Sequence, residues 1–190
     1  MTTIRDVLPS DIPELLRITE MTWMPPRRSE ELAEYVVSAY LSDSVSRSTF
    51  GRVAATDNGL AGYVFVSVAG EEPFGDIVPV SERPLRAAEY DSDTEIYKNV
   101  CARLKEEHAP DCGCELVLLA VDPAHRGRGT GRALFREALA HFRELGGKEF
   151  YLFSDNTCDY TFYDAHGLTR VGTDHTFGKS FTVFMYKGPL

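Results

Sequence analysis

The sequence predicts a single mixed α/β (α+β) domain over residues 1–190. Three observations carry that expectation. Leu116 to Val121 is a short apolar run that Asp122-Pro123 stops, and a glycine-bearing loop and a helical apolar pattern follow it. Phe50 to Thr56 and Ala61 to Val68 are strand-like runs joined by Asp57-Asn58-Gly59, which signals an antiparallel hairpin. The chain has 190 residues and is 43% hydrophobic, enough for one well-buried core and short for two domains.

Taken in order, Thr2 to Val7 alternates as a first strand. Pro9-Ser10-Asp11 reads as a helix start, with Ser10 or Asp11 as the cap. Ile12, Leu15, Leu16 and Ile18 supply its apolar stripe, and Met24-Pro25-Pro26 breaks it. Ser29 to Leu41 reads as a second helix. Glu30, Glu31 and Glu34 sit favourably near its positive end, and Leu32, Val36, Ala39 and Tyr40 form its inward face.

Residues 70–113 carry the weakest pattern. Pro73, Gly75, Pro79 and Pro84 punctuate the first half. Arg86 to Glu107 then reads as a helix with Tyr90, Ile96, Tyr97, Val100 and Leu104 inward. A connection this long is often functional.

Beyond the central strand and loop, Leu134, Ala138 and Phe142 form one helical row and Phe135 and Leu139 the next. Gly146-Gly147 ends that helix. Glu149 to Phe153 is a strand. Ser154-Asp155-Asn156 turns into a short helix ending near His166. Gly167 to Val171 and Phe181 to Tyr186 are the last strands, joined by a turn over Thr173–Lys179.

The net charge of −9 disfavours general nucleic-acid affinity. That charge is uneven: residues 125–132 are basic, while 71–95 hold many of the acids, including Glu71, Glu72, Asp76, Glu82 and Glu89. An acidic protein with one basic loop suits an anionic ligand there and a cationic co-substrate elsewhere. The residues from Met1 to Val7 do not read as a signal peptide, and no apolar run approaches the ~20 residues of a membrane span. A cytoplasmic, reduced protein is therefore expected, with Cys101, Cys112, Cys114 and Cys158 as thiols. His108, Cys112 and Cys114 lack the second ligand pair of a structural zinc site, so no metal is expected.

The loop chemistry points to an anion. The first N–H groups of a helix have no partner within it, and the macrodipole is positive there. Gly129 and Gly131 let a ligand approach the main chain, and Arg126, Arg128 and Arg132 add charge around the same turn. A pyrophosphate suits such a place. Gly127, Gly129 and Gly131 read G-x-G-x-G, without the third glycine of a dinucleotide fingerprint. Arg132-Ala133 does not supply the Lys-Ser/Thr of a P-loop.

Arg126, Gly129 and Gly131 do give R-x-x-G-x-G after a strand ending V-D-P. This resembles the acetyl-CoA-binding motif of the GNAT superfamily of N-acetyltransferases. A second stretch strengthens the likeness. Asn156, Phe162-Tyr163 and Gly167-Leu168 stand at the spacing that superfamily shows, with Asp159 where a small apolar residue is usual. The resemblance covers roughly Phe50 to Tyr186. It implies a mostly antiparallel central sheet of about six to seven strands flanked by helices. The sheet would splay between its central strand and the next to form a CoA cleft.

Carried over residue by residue, the resemblance places the pyrophosphate on the main chain of Arg126, Gly127, Arg128, Gly129, Thr130 and Gly131. The pantetheine arm would lie along Ala120 and Val121, with Asn156 as a further CoA contact. Tyr163 matches the general acid that protonates the departing thiolate. Glu115 matches the base of histone-type members, with His175, Asp159 and Glu72 as lesser candidates. The implied activity is transfer of an acetyl group from acetyl-CoA to a primary amine, directly in a ternary complex. The acceptor would be a small molecule or peptide, of cationic type, with no nucleic acid or membrane as partner. A homodimer is left open. The alternatives are a non-catalytic acyl-CoA-binding sensor of the same fold and a nucleotide-binding regulatory domain.

Overall fold

A computed structural model describes residues 2–23, 29–178 and 180–190. The expected break at Met24-Pro25-Pro26 lies outside the described residues, as does Lys179 of the last turn. The described strands are β1 (Thr3–Asp6), β2 (Phe50–Thr56), β3 (Gly59–Val68), β4 (Cys114–Val121), β5 (Glu149–Asp155), β6 (Thr169–Asp174) and β7 (Val183–Pro189). They form one sheet in the order β1-β2-β3-β4-β5-β7-β6. Every neighbouring pair is antiparallel except β4 and β5, which run parallel.

The helices are α1 (Ile12–Trp23), α2 (Glu30–Ser46), α3 (Ala88–His108), α4 (Thr130–Glu144) and α5 (Thr161–Ala165). Parallel strands need a long crossover, and α4 supplies it between β4 and β5. Leu134, Phe135, Ala138 and Phe142 of α4 pack on Val64, Val66, Leu116, Phe150 and Leu152. On the other face, Leu15, Ile18, Leu41 and Val45 of α1 and α2 cover Val53, Tyr63, Phe65 and Leu118. There too, Val100 and Leu104 of α3 meet Tyr151, Val183 and Met185. Fully burying one such side chain contributes about 1.5–3 kcal/mol, so the three clusters supply most of the driving force for the layers.

One irregularity in β4 decides which side chains reach which layer. Phe65 pairs with Leu118, but the next residue, Val66, pairs with Leu116. Val117 is the extra residue of a β-bulge. Before it, Cys114 and Leu116 face α4. After it, Leu118 and Ala120 face α1. The bulge therefore reverses the alternation and turns Leu119 and Val121 to the α4 side.

Two expected boundaries shift for physical reasons. α2 continues past Leu41 to Ser46 because Val37, Leu41 and Val45 keep one buried row at a spacing of four. α3 begins with a 3-10 turn at Leu85–Ala87. Its inward row is partly corrected: Val100 and Leu104 are buried, but Ile96 is 38% exposed. The periodicity marks a row, and burial also needs a surface across from it. The expected turn from β2 to β3 is present, with Thr56 opposite Gly59.

Candidate functional site

β4 and β5 are in register at one described pair, Glu115 opposite Tyr151. Beyond it the parallel strands part. The gap is a cleft of about 620 Å³. Its walls are Leu116 to Leu119 and Val121 of β4, Phe153 to Asp155 of β5, Phe162 and Tyr163 of α5, and the loop at His125–Arg132. The expected splay between the central strand and the next is what the structure shows. Past Glu115 no described residue of β4 pairs with β5, and Leu116 to Leu119 and Val121 line the gap.

The end of β4 is held firmly. Asp122 is 4% exposed, accepts the Ala124 amide at 2.8 Å and takes a 2.7 Å hydrogen bond from Arg17 Nη2. Burial alone would raise this carboxyl, but Arg17 and the amide outweigh it and hold it below the usual carboxylate range. The Asp-Pro stop of the sequence is thus a pinned corner from which the loop springs.

Gly129 caps α4 with φ 84°, a left-handed conformation that glycine adopts without Cβ strain. The first described helical bond runs from the Ala133 amide to the Gly129 carbonyl, so the amides of Thr130, Gly131 and Arg132 have no partner within the helix. A Cβ on Gly131 would lie 3.3 Å from Val121 Cγ2, which shows how closely the helix start sits against the strand end. Arg126 Nε reaches the Val121 carbonyl at 3.3 Å. Arg128, Arg132 and Arg136 line an adjoining opening beside Asp57 and Asn58. Among the described residues, none of Arg126, Arg128, Arg132 and Arg136 has a carboxylate partner within salt-bridge distance. Among the described residues these four guanidinium groups stand without a carboxylate on a chain of net charge −9, so this face concentrates positive charge.

Tyr163 lines the same cleft. Its ring rests against Phe162 and Tyr186 at 5.4 and 5.6 Å between centroids. Among the described residues its hydroxyl makes no hydrogen bond, and burial raises its pKa above the ordinary phenol value. A protonated hydroxyl with no hydrogen bond among the described residues therefore belongs to a side chain that borders the gap.

The other sequence-expected residues divide between the cleft and places outside it. Ala120 is 1% exposed and packs toward α1, so its side chain is core and Val121 alone of the pair lines the cleft. Asn156 does not line it either. Its Oδ1 accepts the Thr182 amide at 2.8 Å and its Nδ2 donates to the Ser180 carbonyl at 3.3 Å, which ties the end of β5 to the start of β7. Glu115 lies in a separate opening with Lys105, Asp111 and Tyr151. Its carboxylate accepts Arg47 Nη1 at 2.7 Å and the Tyr151 hydroxyl at 3.2 Å. Asp159 lines the main cleft and accepts the Thr161 hydroxyl, while His175 pairs with Thr182 and Glu72 is exposed.

Sequence reasoning missed the far wall. Trp23, Tyr40 and Tyr97 line the cleft from α1, α2 and α3, with Asp155 and Cys158 beside them. One signal for Asp155 was available: it ends the strand next to the central one, and ligands of open α/β sheets gather at carboxyl ends of strands. Among the described residues no group of three or more His, Cys, Asp and Glu side chains could hold a metal ion, and no helix is long and apolar enough to cross a membrane.

A family model described as the acetyltransferase (GNAT) family matches residues 12–168, more than half of the chain. The chain belongs to that family. The mycothiol acetyltransferase of Geodermatophilus obscurus is 39% identical over 70 residues, which is 36% of this chain and 23% of that protein. The chain thus spans under a quarter of that relative. Two solved structures share the fold along the whole chain. The PaiA N-acetyltransferase of Thermoplasma acidophilum, solved in complex with coenzyme A, has a TM-score of 0.63 at 16% identity and covers 100% of this chain and 99% of its own. The ribosomal-protein-S18-alanine N-acetyltransferase of Escherichia coli has a TM-score of 0.61 at 15% identity, with 100% and 94% covered. Likeness at such identity speaks to the fold alone.

Proposed function

We propose that this GNAT family member is an N-acetyltransferase that moves the acetyl group of acetyl-CoA to a primary amine by direct transfer in a ternary complex. One observation carries the reading. The unpartnered amides at the start of α4 stand beside uncompensated arginines at the mouth of two splayed strands. Amides at a helix N-terminus are a ready site for a diphosphate. Arg126 to Gly131 would hold it there. Arg128, Arg132 and Arg136 would meet the remaining phosphate charge in the adjoining opening.

The open edge of β4 supports the rest of the co-substrate. An extended chain bearing amide groups pairs with a free strand edge as an added strand does. The pantetheine arm would run along β4 in this way and bring its thioester beside Val121, where a main-chain amide polarises the carbonyl.

The amine nitrogen forms its bond to that carbonyl carbon and the carbon–sulfur bond breaks. The thiolate takes the Tyr163 proton, and Tyr163 recovers the one shed by the nitrogen. A protonated amine must first release one further proton to solvent or a carboxylate, because its reference pKa is near ~10.4 and only the neutral form attacks. Cys158 also lines the cleft, but burial pushes its thiol up to about 11. At neutral pH it stays a thiol and is a poor acyl carrier, which favours direct transfer.

The whole of residues 1–190 acts as one catalytic unit in this reading. Residues 70–113 are its contribution to acceptor choice, since α3 brings Tyr97 to the cleft. The test is to incubate the purified chain with acetyl-CoA and a panel of primary amines, reading thiol release and the mass of the acetylated product. Thiol release with product formation is expected. Binding of CoA by calorimetry without turnover on any amine would leave only a sensor of acyl-CoA. Absence of CoA binding would end the assignment.

A further inference from the structure

The cleft is electrically polarised. Arg126 and Arg132 line its loop end, whereas Asp155 closes β5 on the other side with Trp23, Tyr40 and Tyr97 around it. Asp155 is 8% exposed. Its Oδ1 accepts the Thr157 amide at 2.7 Å and the Thr157 hydroxyl, and its Oδ2 accepts the Cys158 thiol at 3.3 Å. Among the described residues no lysine, arginine or histidine pairs with it. Neutral hydrogen bonds recover only part of the cost of burying a carboxylate, and a cation recovers the rest.

The surrounding wall is of the kind that accepts a cation. The Trp23 and Tyr40 rings lie 5.4 Å apart, tilted by 55°. Trp23 Nε1 donates to Cys158 Sγ at 3.3 Å, so the indole is tied to the thiol that touches Asp155. The Tyr40 hydroxyl makes no hydrogen bond among the described residues and is buried enough to be held well above the ordinary phenol range. Aromatic faces attract ammonium groups, and the attraction grows as water is excluded.

We propose that Asp155, walled by Trp23, Tyr40 and Tyr97, is the subsite that receives the ammonium head of the acceptor. The acceptor it fits is a primary monoamine on an apolar or aromatic frame. Asp155 is the buried carboxylate and offers one charge, whereas Asp159 of the same cleft is exposed and already bonded by the Thr161 hydroxyl, and the rings favour an apolar body over a chain of further amines. The proposal rests on the acetyl-transfer reading, because it names the acceptor of that same cleft.

Calorimetry on the full chain saturated with CoA tests it, using 2-phenylethylamine, its neutral isostere 2-phenylethanol, and spermidine. The expected result is at least about tenfold tighter binding of 2-phenylethylamine than of either other probe, a difference near 1.4 kcal/mol. Asp155→Asn should erase the preference for amine over alcohol and raise the amine KM about tenfold or more, with the acetyl-CoA KM within about twofold. Equal binding of amine and alcohol by the native chain, or an unchanged preference in Asp155→Asn, overturns the proposal. Because Asp155 also orders the Thr157 turn, Tyr40→Leu serves as the second variant. It should raise the amine KM and leave the acetyl-CoA KM alone, and an unchanged amine KM would count against the aromatic wall. Tight amine binding without acetyl transfer would keep the subsite and remove the transferase reading. Transfer without amine preference would do the reverse.

Discussion

Glu115 stands directly opposite Tyr151 where β4 meets β5, and the Tyr151 hydroxyl donates to its carboxylate at 3.2 Å. Arg47, just past the end of α2, closes the link with a 2.7 Å hydrogen bond. The three residues fasten the narrow end of the cleft, and the strands part from there.

A fastening role predicts the behaviour of Glu115→Gln. The variant should lose about 0.5–1.5 kcal/mol in chemical denaturation, since a charge-assisted bond goes while water still reaches the half-exposed Arg47 guanidinium. Its kcat should stay within about threefold of the native value. A fall of about 10²-fold with stability intact would instead make Glu115 the proton acceptor of the reaction.

Tyr163→Phe removes the unengaged hydroxyl and keeps the ring between Phe162 and Tyr186. The expected loss is about 10²-fold or more in kcat, the range for one positioned acid. CoA affinity by calorimetry should change by less than about twofold. Equal turnover would take Tyr163 out of the mechanism.

Gly129→Ala places a Cβ on a residue at φ 84° with open space around it, so the penalty is conformational and not a clash. That conformation costs a non-glycine residue about 1–2 kcal/mol. If the loop relaxes to avoid it, the α4 amides turn away from the diphosphate and CoA binds about tenfold more weakly. Calorimetry with CoA and a melting curve measured together separate lost binding from lost stability.

Cys158 sets a pH dependence. Burial raises its thiol to about 11 in the folded chain, against an unfolded value near ~8.5. The folded state therefore holds the proton more tightly. The associated stability is complete below the unfolded value and is lost as pH rises through the folded one. Alkylation of Cys158 by iodoacetamide, followed by mass spectrometry, should show its midpoint near the folded value. A midpoint at the ordinary thiol value would contradict the burial argument.

What the sequence by itself determined was local. Leu116–Val121 as a strand, the hairpin over Asp57-Asn58, the glycine-bearing loop before α4 and the rows of α4 at Leu134, Ala138 and Phe142 all follow from backbone preference and side-chain period. The basic loop was legible for the same reason, because its amides and arginines lie within a few residues of one another. Tertiary structure alone decided what depends on distant segments meeting. The bulge at Val117 and the parting of β4 from β5 opened the cleft. The packed layers also gave Asn156 its bonds with Ser180 and Thr182, and Glu115 its bonds with Arg47 and Tyr151. Trp23, Tyr40 and Tyr97 converged on Asp155 from three helices, a meeting that no spacing along the chain encodes. A side chain's role depends on what stands across from it, and that is fixed only when the layers pack.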